Sequence, residues 1–131
     1  MSMTAQEIFD KVVAHLREQK VPAFDQARDM CLYRMPDGKK CAVGCLLIDE
    51  EYSTQMEEGY PVGQLLDKWP SVAERLGREN RFLLRDLQKI HDDQLSQDWE
   101  RQWEYLAASN ELTYTPPLSA LPQEDRNDPP V

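Results

Sequence analysis

The run at residues 41–48, CAVGCLLI, leaves this chain the fewest choices. It is the longest apolar stretch, set between Lys39-Lys40 and Asp49-Glu50-Glu51. Crossing a bilayer takes about 20 apolar residues, so protein must cover this run instead. The remainder of the chain has to supply apolar faces that close over it. A length of 131 residues suits one domain built that way.

Several stretches offer such faces. Thr4 and Glu7 have the T-x-x-E spacing of a capping box, in which each side chain satisfies an N–H of the first helical turn. Ile8, Phe9, Val12, Val13 and Leu16 then recur at helical spacing. This helix should stop before Pro22, because the residue preceding a proline is pushed out of the α region. Asp49-Glu50-Glu51 predict a short helical turn that Gly59-Tyr60-Pro61 breaks. Val62, Leu65, Leu66 and Trp69 give a short amphipathic segment closed by Pro70. Ser71 is placed to cap another, carrying Val72 and Leu76, with Gly77 at its C-cap. Residues 78–94 read as a long helix with Leu83, Leu84, Leu87, Ile90 and His91 on one face. Ser96 resembles an N-cap with Asp98 in the first turn. The last stripe is Trp99, Trp103, Leu106 and Ala107, ended by Asn110.

Residues 30–48 change character. MCLYRM meets Pro36-Asp37-Gly38 and then Lys39-Lys40. That pattern predicts a β-hairpin with strands near residues 30–35 and 39–43. Gly44 marks a bulge, a close backbone approach or a switch from strand to helix. If Met35 pairs with Lys39, Tyr33 faces Cys41 and Cys31 faces Val43, which makes Cys31 and Cys41 diagonal neighbours. The expected fold is therefore a mainly helical α+β domain over residues 1–114. About four to five helices pack around a small β-hairpin, with residues 41–48 at the centre of the core. Residues 115–131 carry Pro116, Pro117, Pro122, Pro129 and Pro130 among acidic side chains, and read as a disordered acidic tail.

Charge removes some functions. Asp and Glu number 24 against 15 Lys and Arg, for a formal charge of −9. A protein that binds nucleic acid by neutralising phosphates needs a basic patch or stripe, and an anionic membrane attracts basic segments rather than acidic ones. The opening MSMTAQEIFDKVV has neither the basic nor the apolar part of a secretory signal. Three cysteines, an odd count, suit a reducing compartment. The expected location is cytoplasmic, and the host cytoplasm if the chain is phage-encoded. No glycine-rich phosphate loop, G-x-S-x-G or H-E-x-x-H motif occurs, so no cofactor is expected.

Cys31, Cys41, Cys45 and His91 are the candidate metal ligands, since zinc favours thiolate and imidazole. The C-x9-C-x3-C spacing lacks the paired knuckles of common zinc folds. Free cysteines more often serve as small buried hydrophobes, and that reading is favoured here. Asp92 and Asp93 should point away from the helix face that carries His91, so neither is expected to orient its ring. His91 then reads as a core histidine bonded to a neighbouring turn. Arg81, Arg85 and Lys89 form a row at i, i+4 spacing, with Glu79 and Asp86 close in sequence, and read as a solvated mixed-charge face. Trp99 and Trp103 read as core rather than as binding anchors.

The block K-C-A-V-G-C-L-L-I-D-E-E-Y at residues 40–52 follows AQEIFDKVVAHLR and precedes L-Q-K-I-H-D-D at residues 87–93. Together they resemble small uncharacterised proteins encoded by tailed bacteriophages, prophages and bacterial genomes. The resemblance spans roughly residues 4–107, a domain-sized stretch. It implies a provenance and assigns no activity to any residue. The expected function is a non-enzymatic, phage- or prophage-related protein-binding or regulatory role. The partner would be a host or phage protein, without nucleic-acid or membrane contact. One alternative is a small metal- or thiol-dependent enzyme using the Cys/His set. Another is an acidic inhibitor of a bacterial defence system, which requires acidic side chains ranked in a stripe rather than interspersed with bases.

Overall fold

The computed structural model describes residues 2–117. The capping box forms as its spacing requires: Thr4 Oγ1 accepts from Glu7 N–H at 3.1 Å and Glu7 Oε1 accepts from Thr4 N–H at 2.8 Å. Helix α1 then runs Ala5–Gln19 and buries Ile8, Phe9, Val12, Val13 and Leu16. Lys20 ends it in the left-handed conformation, two residues before Pro22.

Residues 23–48 correct the hairpin in part. The paired strands are β1 (Phe24–Asp25) and β2 (Met30–Cys31), antiparallel, with Phe24 opposite Cys31. The expected turn does close with Met35 against Lys39, through Met35 N–H to Lys39 carbonyl at 2.8 Å. Beyond it only Arg34 and Lys40 bridge, so Cys31 faces Phe24 and not Val43.

Side chains take the place of the missing ladder. Glu57 accepts the N–H groups of Tyr33 at 2.8 Å and Arg34 at 2.9 Å. Gln19 pairs with both backbone groups of Lys40, at 2.8 and 2.9 Å. A buried peptide group left unpaired costs about 1–3 kcal/mol, and these side chains remove that cost where a second strand would have.

Gly44 lets the chain pass close against Tyr33. A Cβ there would lie 1.8 Å from the Tyr33 carbonyl oxygen. The chain turns at this contact into a 3₁₀ turn, Gly44–Leu46. Cys41, Ala42, Val43, Leu46 and Leu47 are buried, as the apolar run requires, but Ile48 is 41% exposed and lies outside the centre of the core.

The Asp49-Glu50-Glu51 stretch makes a single turn, with Glu51 and Tyr52 N–H both donating to the Ile48 carbonyl. A 3₁₀ turn follows at Thr54–Glu57. Helices α2 (Val62–Lys68) and α3 (Pro70–Leu76) meet at Trp69. Pro70 is the first residue of α3, where its missing N–H costs nothing, so Ser71 sits inside the helix and is not its cap. Helix α4 covers Arg81–Asp93, preceded by a 3₁₀ turn at Arg78–Asn80 rather than continuous from residue 78. Helix α5 is Trp99–Ser109; Ser96 begins a 3₁₀ turn and makes no capping bond.

The core gathers the inward faces of α1 to α5 over residues 41–47. Among the described residues the result is mainly helical α+β, with five α-helices and one small antiparallel pair of strands. After α5, Gln6 pairs with both backbone groups of Thr113, and Arg17 donates to the Thr115 carbonyl at 2.8 Å. The tail expectation for the rest of residues 115–131 lies outside the described residues. No helix among the described residues is long and apolar enough to cross a membrane.

Candidate functional site

Helix α4 carries the candidate site, because both of its faces are put to use. Its apolar face buries Leu83, Leu84, Leu87 and Ile90. His91 belongs to that face and is 1% exposed, with its ring stacked on Trp99 at 5.7 Å.

The imidazole is fully engaged. Its Nε2 accepts the Ala23 N–H at 3.0 Å, so the proton of the neutral ring sits on Nδ1. Nδ1 donates to Asp92 Oδ1 at 2.7 Å. This corrects the expectation that Asp92 leaves the ring unoriented. A one-residue offset turns the two Cβ vectors about 100° apart, but the carboxylate reaches back. The same Oδ1 accepts Gln88 Nε2 at 2.9 Å, and Gln88 Oε1 accepts the Val43 N–H at 2.9 Å. One hydrogen-bonded chain thus runs from the apolar run through α4 to the segment before β1.

The three thiols separate. One ligand atom each from Cys31, His91 and Asp92 lies within 4.8 Å of the others, and Cys41 and Cys45 are outside that group. Cys41 Sγ accepts the Gly44 N–H at 3.3 Å and the Cys45 thiol donates to the Ala42 carbonyl at 3.1 Å. Both therefore satisfy the turn that Gly44 creates. All three are free thiols.

The convergence of Cys31, His91 and Asp92 fits a metal poorly. A metal on Nδ1 would leave Nε2 to carry the ring proton, facing the Ala23 N–H donor to donor. Nor is the thiol activated. Burial pushes Cys31 up to about 12, and the neighbouring Asp92 adds to it. Reactive cysteines sit in electropositive surroundings that lower the value. A Cys–His exchange would also need a free nitrogen, and neither nitrogen is free.

The outward face of α4 forms one wall of a cleft of about 730 Å³. Arg81, Arg85 and Lys89 line it, and α2 supplies Gly63, Gln64 and Asp67 opposite. Among the described residues none of the three cations has a carboxylate within 4.0 Å. Glu79 and Asp86 do not pair with them, but Glu57, Asp67, Asp92 and Asp93 line the same cleft, so the exposed row stands on a concave wall of mixed charge without a direct ion pair. Gly63 permits close seating of one cation, since a Cβ there would meet Arg81 Nη2 at 3.3 Å.

The floor of the cleft is held by groups that sequence reasoning passed over. Glu57 is 9% exposed and, besides the two N–H groups, accepts the Tyr52 hydroxyl at 2.6 Å. Tyr33 donates its hydroxyl to the Tyr60 carbonyl, and burial pushes its phenol well up. Glu57 had no sequence signal beyond being a glutamate between the predicted turn at Asp49-Glu50-Glu51 and its breaker at Gly59-Tyr60-Pro61. Trp99 and Trp103 are core, as expected, 2% and 1% exposed.

No family model matches the chain, and searches of curated proteins and of solved structures return no match.

Proposed function

We propose that this chain is a non-enzymatic binding or regulatory protein that contacts a host or phage protein through the cleft beside α4. The observation that carries the proposal is the row of Arg81, Arg85 and Lys89, unpaired with any described carboxylate, on a concave wall. In a chain with nine more acidic than basic groups, three neighbouring cations on one wall are a local concentration of positive charge, set among Glu57, Asp67, Asp92 and Asp93 in the same cleft. The saturated imidazole of His91 and the raised Cys31 thiol support the non-enzymatic half of the reading.

Capture from host lysate tests it. The wild-type chain and an Arg81→Glu/Arg85→Glu variant are compared under the same conditions. The reading expects a protein retained by the first and lost by the second. Equal capture by both, or none by either, overturns it.

A second reading, a small metal- or thiol-dependent enzyme, has one observation in its favour: Cys31, His91 and Asp92 lie close together. Zinc titration followed by thermal melting decides it. A stoichiometric rise in midpoint that is lost in Cys31→Ser supports the metal, and no rise leaves the group a structural one.

A further inference from the structure

A second hollow lies between the end of α1 and the start of α5, and it shares no lining residue with the cleft beside α4. Its volume of about 380 Å³ falls in the range of about 300–1,000 Å³ usual for small-molecule sites. Leu16, Trp99, Trp103 and Pro117 supply its apolar walls. Both tryptophans are buried, and the indole N–H of each lacks a hydrogen-bond acceptor. A buried donor without an acceptor has given up its bond to water for nothing, so folded chains carry few of them. Here two stand side by side on one hollow, with ring centroids 5.8 Å apart.

The charges of this hollow leave a clear remainder. Arg17 and Glu100 line it and pair with each other through two bonds at 2.8 Å. Lys20 lines it as well and has no carboxylate within 4.0 Å among the described residues. One cation and two N–H donors therefore remain, against no free carboxylate. We propose that this hollow binds a small organic carboxylate with a flat apolar body. The body packs on Leu16, the indoles and Pro117. The carboxylate oxygens, which only accept, take the indole N–H groups and face the Lys20 ammonium. An ammonium ligand carries only donors and would leave both indoles unpaired. The indole nitrogens are closed to solvent, so seating the ligand moves the rim that Pro117 forms. The segment leading to that rim is held by side chains, Gln6 on Thr113 and Arg17 on the Thr115 carbonyl. This site is independent of protein binding through the cleft beside α4.

The probe is naphthalene carboxylate, titrated while the indole nitrogen–proton signals of the isotope-labelled protein are followed by NMR. The chain has three tryptophans, and Trp69 lies outside the hollow. Its signal, identified by its loss in Trp69→Phe, is the internal reference. Saturable shifts of the Trp99 and Trp103 signals are expected while that of Trp69 stays in place. Affinity should fall about fivefold or more in Lys20→Glu and stay within about twofold in Arg81→Glu/Arg85→Glu, whose charges line the other cleft. Where Lys20→Glu melts early, Lys20→Gln replaces it, with the same direction expected. No shift, shifts that do not saturate, an equal response of Trp69, undiminished binding in the Lys20 variants, or tighter binding of naphthylmethylamine overturns the proposal. Loss of binding in Arg81→Glu/Arg85→Glu would seat the carboxylate in the other cleft and overturn it too. None of these results touches the protein-binding reading, which lysate capture decides.

Discussion

His91 Nε2 lies 3.0 Å from the backbone nitrogen of Ala23, sixty-eight residues earlier, and accepts its proton inside the core. That bond fixes the tautomer of the ring, directs the other nitrogen at Asp92, and ties α4 to the segment leading into β1. A residue with the composition of a catalytic group serves here as a bracket.

Replacing the ring by one of similar volume isolates the bracket from packing. His91→Phe keeps the stack on Trp99 but leaves the Ala23 N–H buried without an acceptor, at a cost of about 1–3 kcal/mol. Urea unfolding should give a lower midpoint with an unchanged slope. Wild-type stability in this variant would mean the bond contributes nothing.

Gly44 and Gly59 separate close approach from backbone conformation. Gly44→Ala forces a methyl into the Tyr33 carbonyl, 1.8 Å away, so the strand-to-turn switch has to move. The loss should reach about 3 kcal/mol or more, the upper end for overpacking. Gly59 has φ +87° with open space around it, so Gly59→Ala should cost only about 1–2 kcal/mol. Thermal melts of the two variants should rank in that order, and the reverse order would refute the assignment.

The thiols predict alkaline weakening. Burial pushes Cys31 and Cys45 up to about 12 and Cys41 well up, against an ordinary value of 9.0. Above pH 9 the unfolded chain releases these protons and the folded chain keeps them. The stabilisation is therefore complete below pH 9 and is lost progressively as pH rises toward 12. Urea midpoints should fall from pH 8 to pH 10, less steeply in Cys45→Ala. Iodoacetamide at pH 8 should modify the folded chain more slowly than the unfolded one; equal rates would contradict the burial.

Glu100 gives the acid limb. Burial opposes its ionisation, but two bonds from Arg17 at 2.8 Å and one from the Tyr114 hydroxyl at 2.7 Å outweigh it and hold the carboxyl below its ordinary 4.5. A lowered carboxyl stabilises above its unfolded value, and that contribution disappears as pH falls through the folded one. Stability should drop below about pH 4.5, and Glu100→Gln should be weaker at neutral pH but flatter through that range. An identical acid profile in the variant would remove the linkage.

Much of the fold was legible residue by residue. The stripe of Ile8 to Leu16, the Leu83 to His91 face and the Trp99 to Ala107 face are set by a local period that tertiary contacts had no reason to oppose. The Met35–Lys39 turn was legible for the same reason, since Pro36, Asp37 and Gly38 encode it locally. The hairpin was over-extended because its competitors are distant: Glu57 and Gln19 supply the bonds a strand would have made. The candidate site was less legible still. Arg81, Arg85 and Lys89 were visible as a row, but only the placement of α2 opposite makes that row the wall of a cleft.

The sequence by itself determined that these helices form, where α1 begins and ends, which faces turn inward, and that most of the run at residues 41–48 must be covered. Those properties depend on neighbours within a turn or two. The engagement of His91, the separation of the three thiols and the unpaired state of the α4 cations were decided only by the tertiary structure. Each depends on which remote backbone group or carboxylate comes within hydrogen-bonding distance, and a one-dimensional pattern carries no such distance.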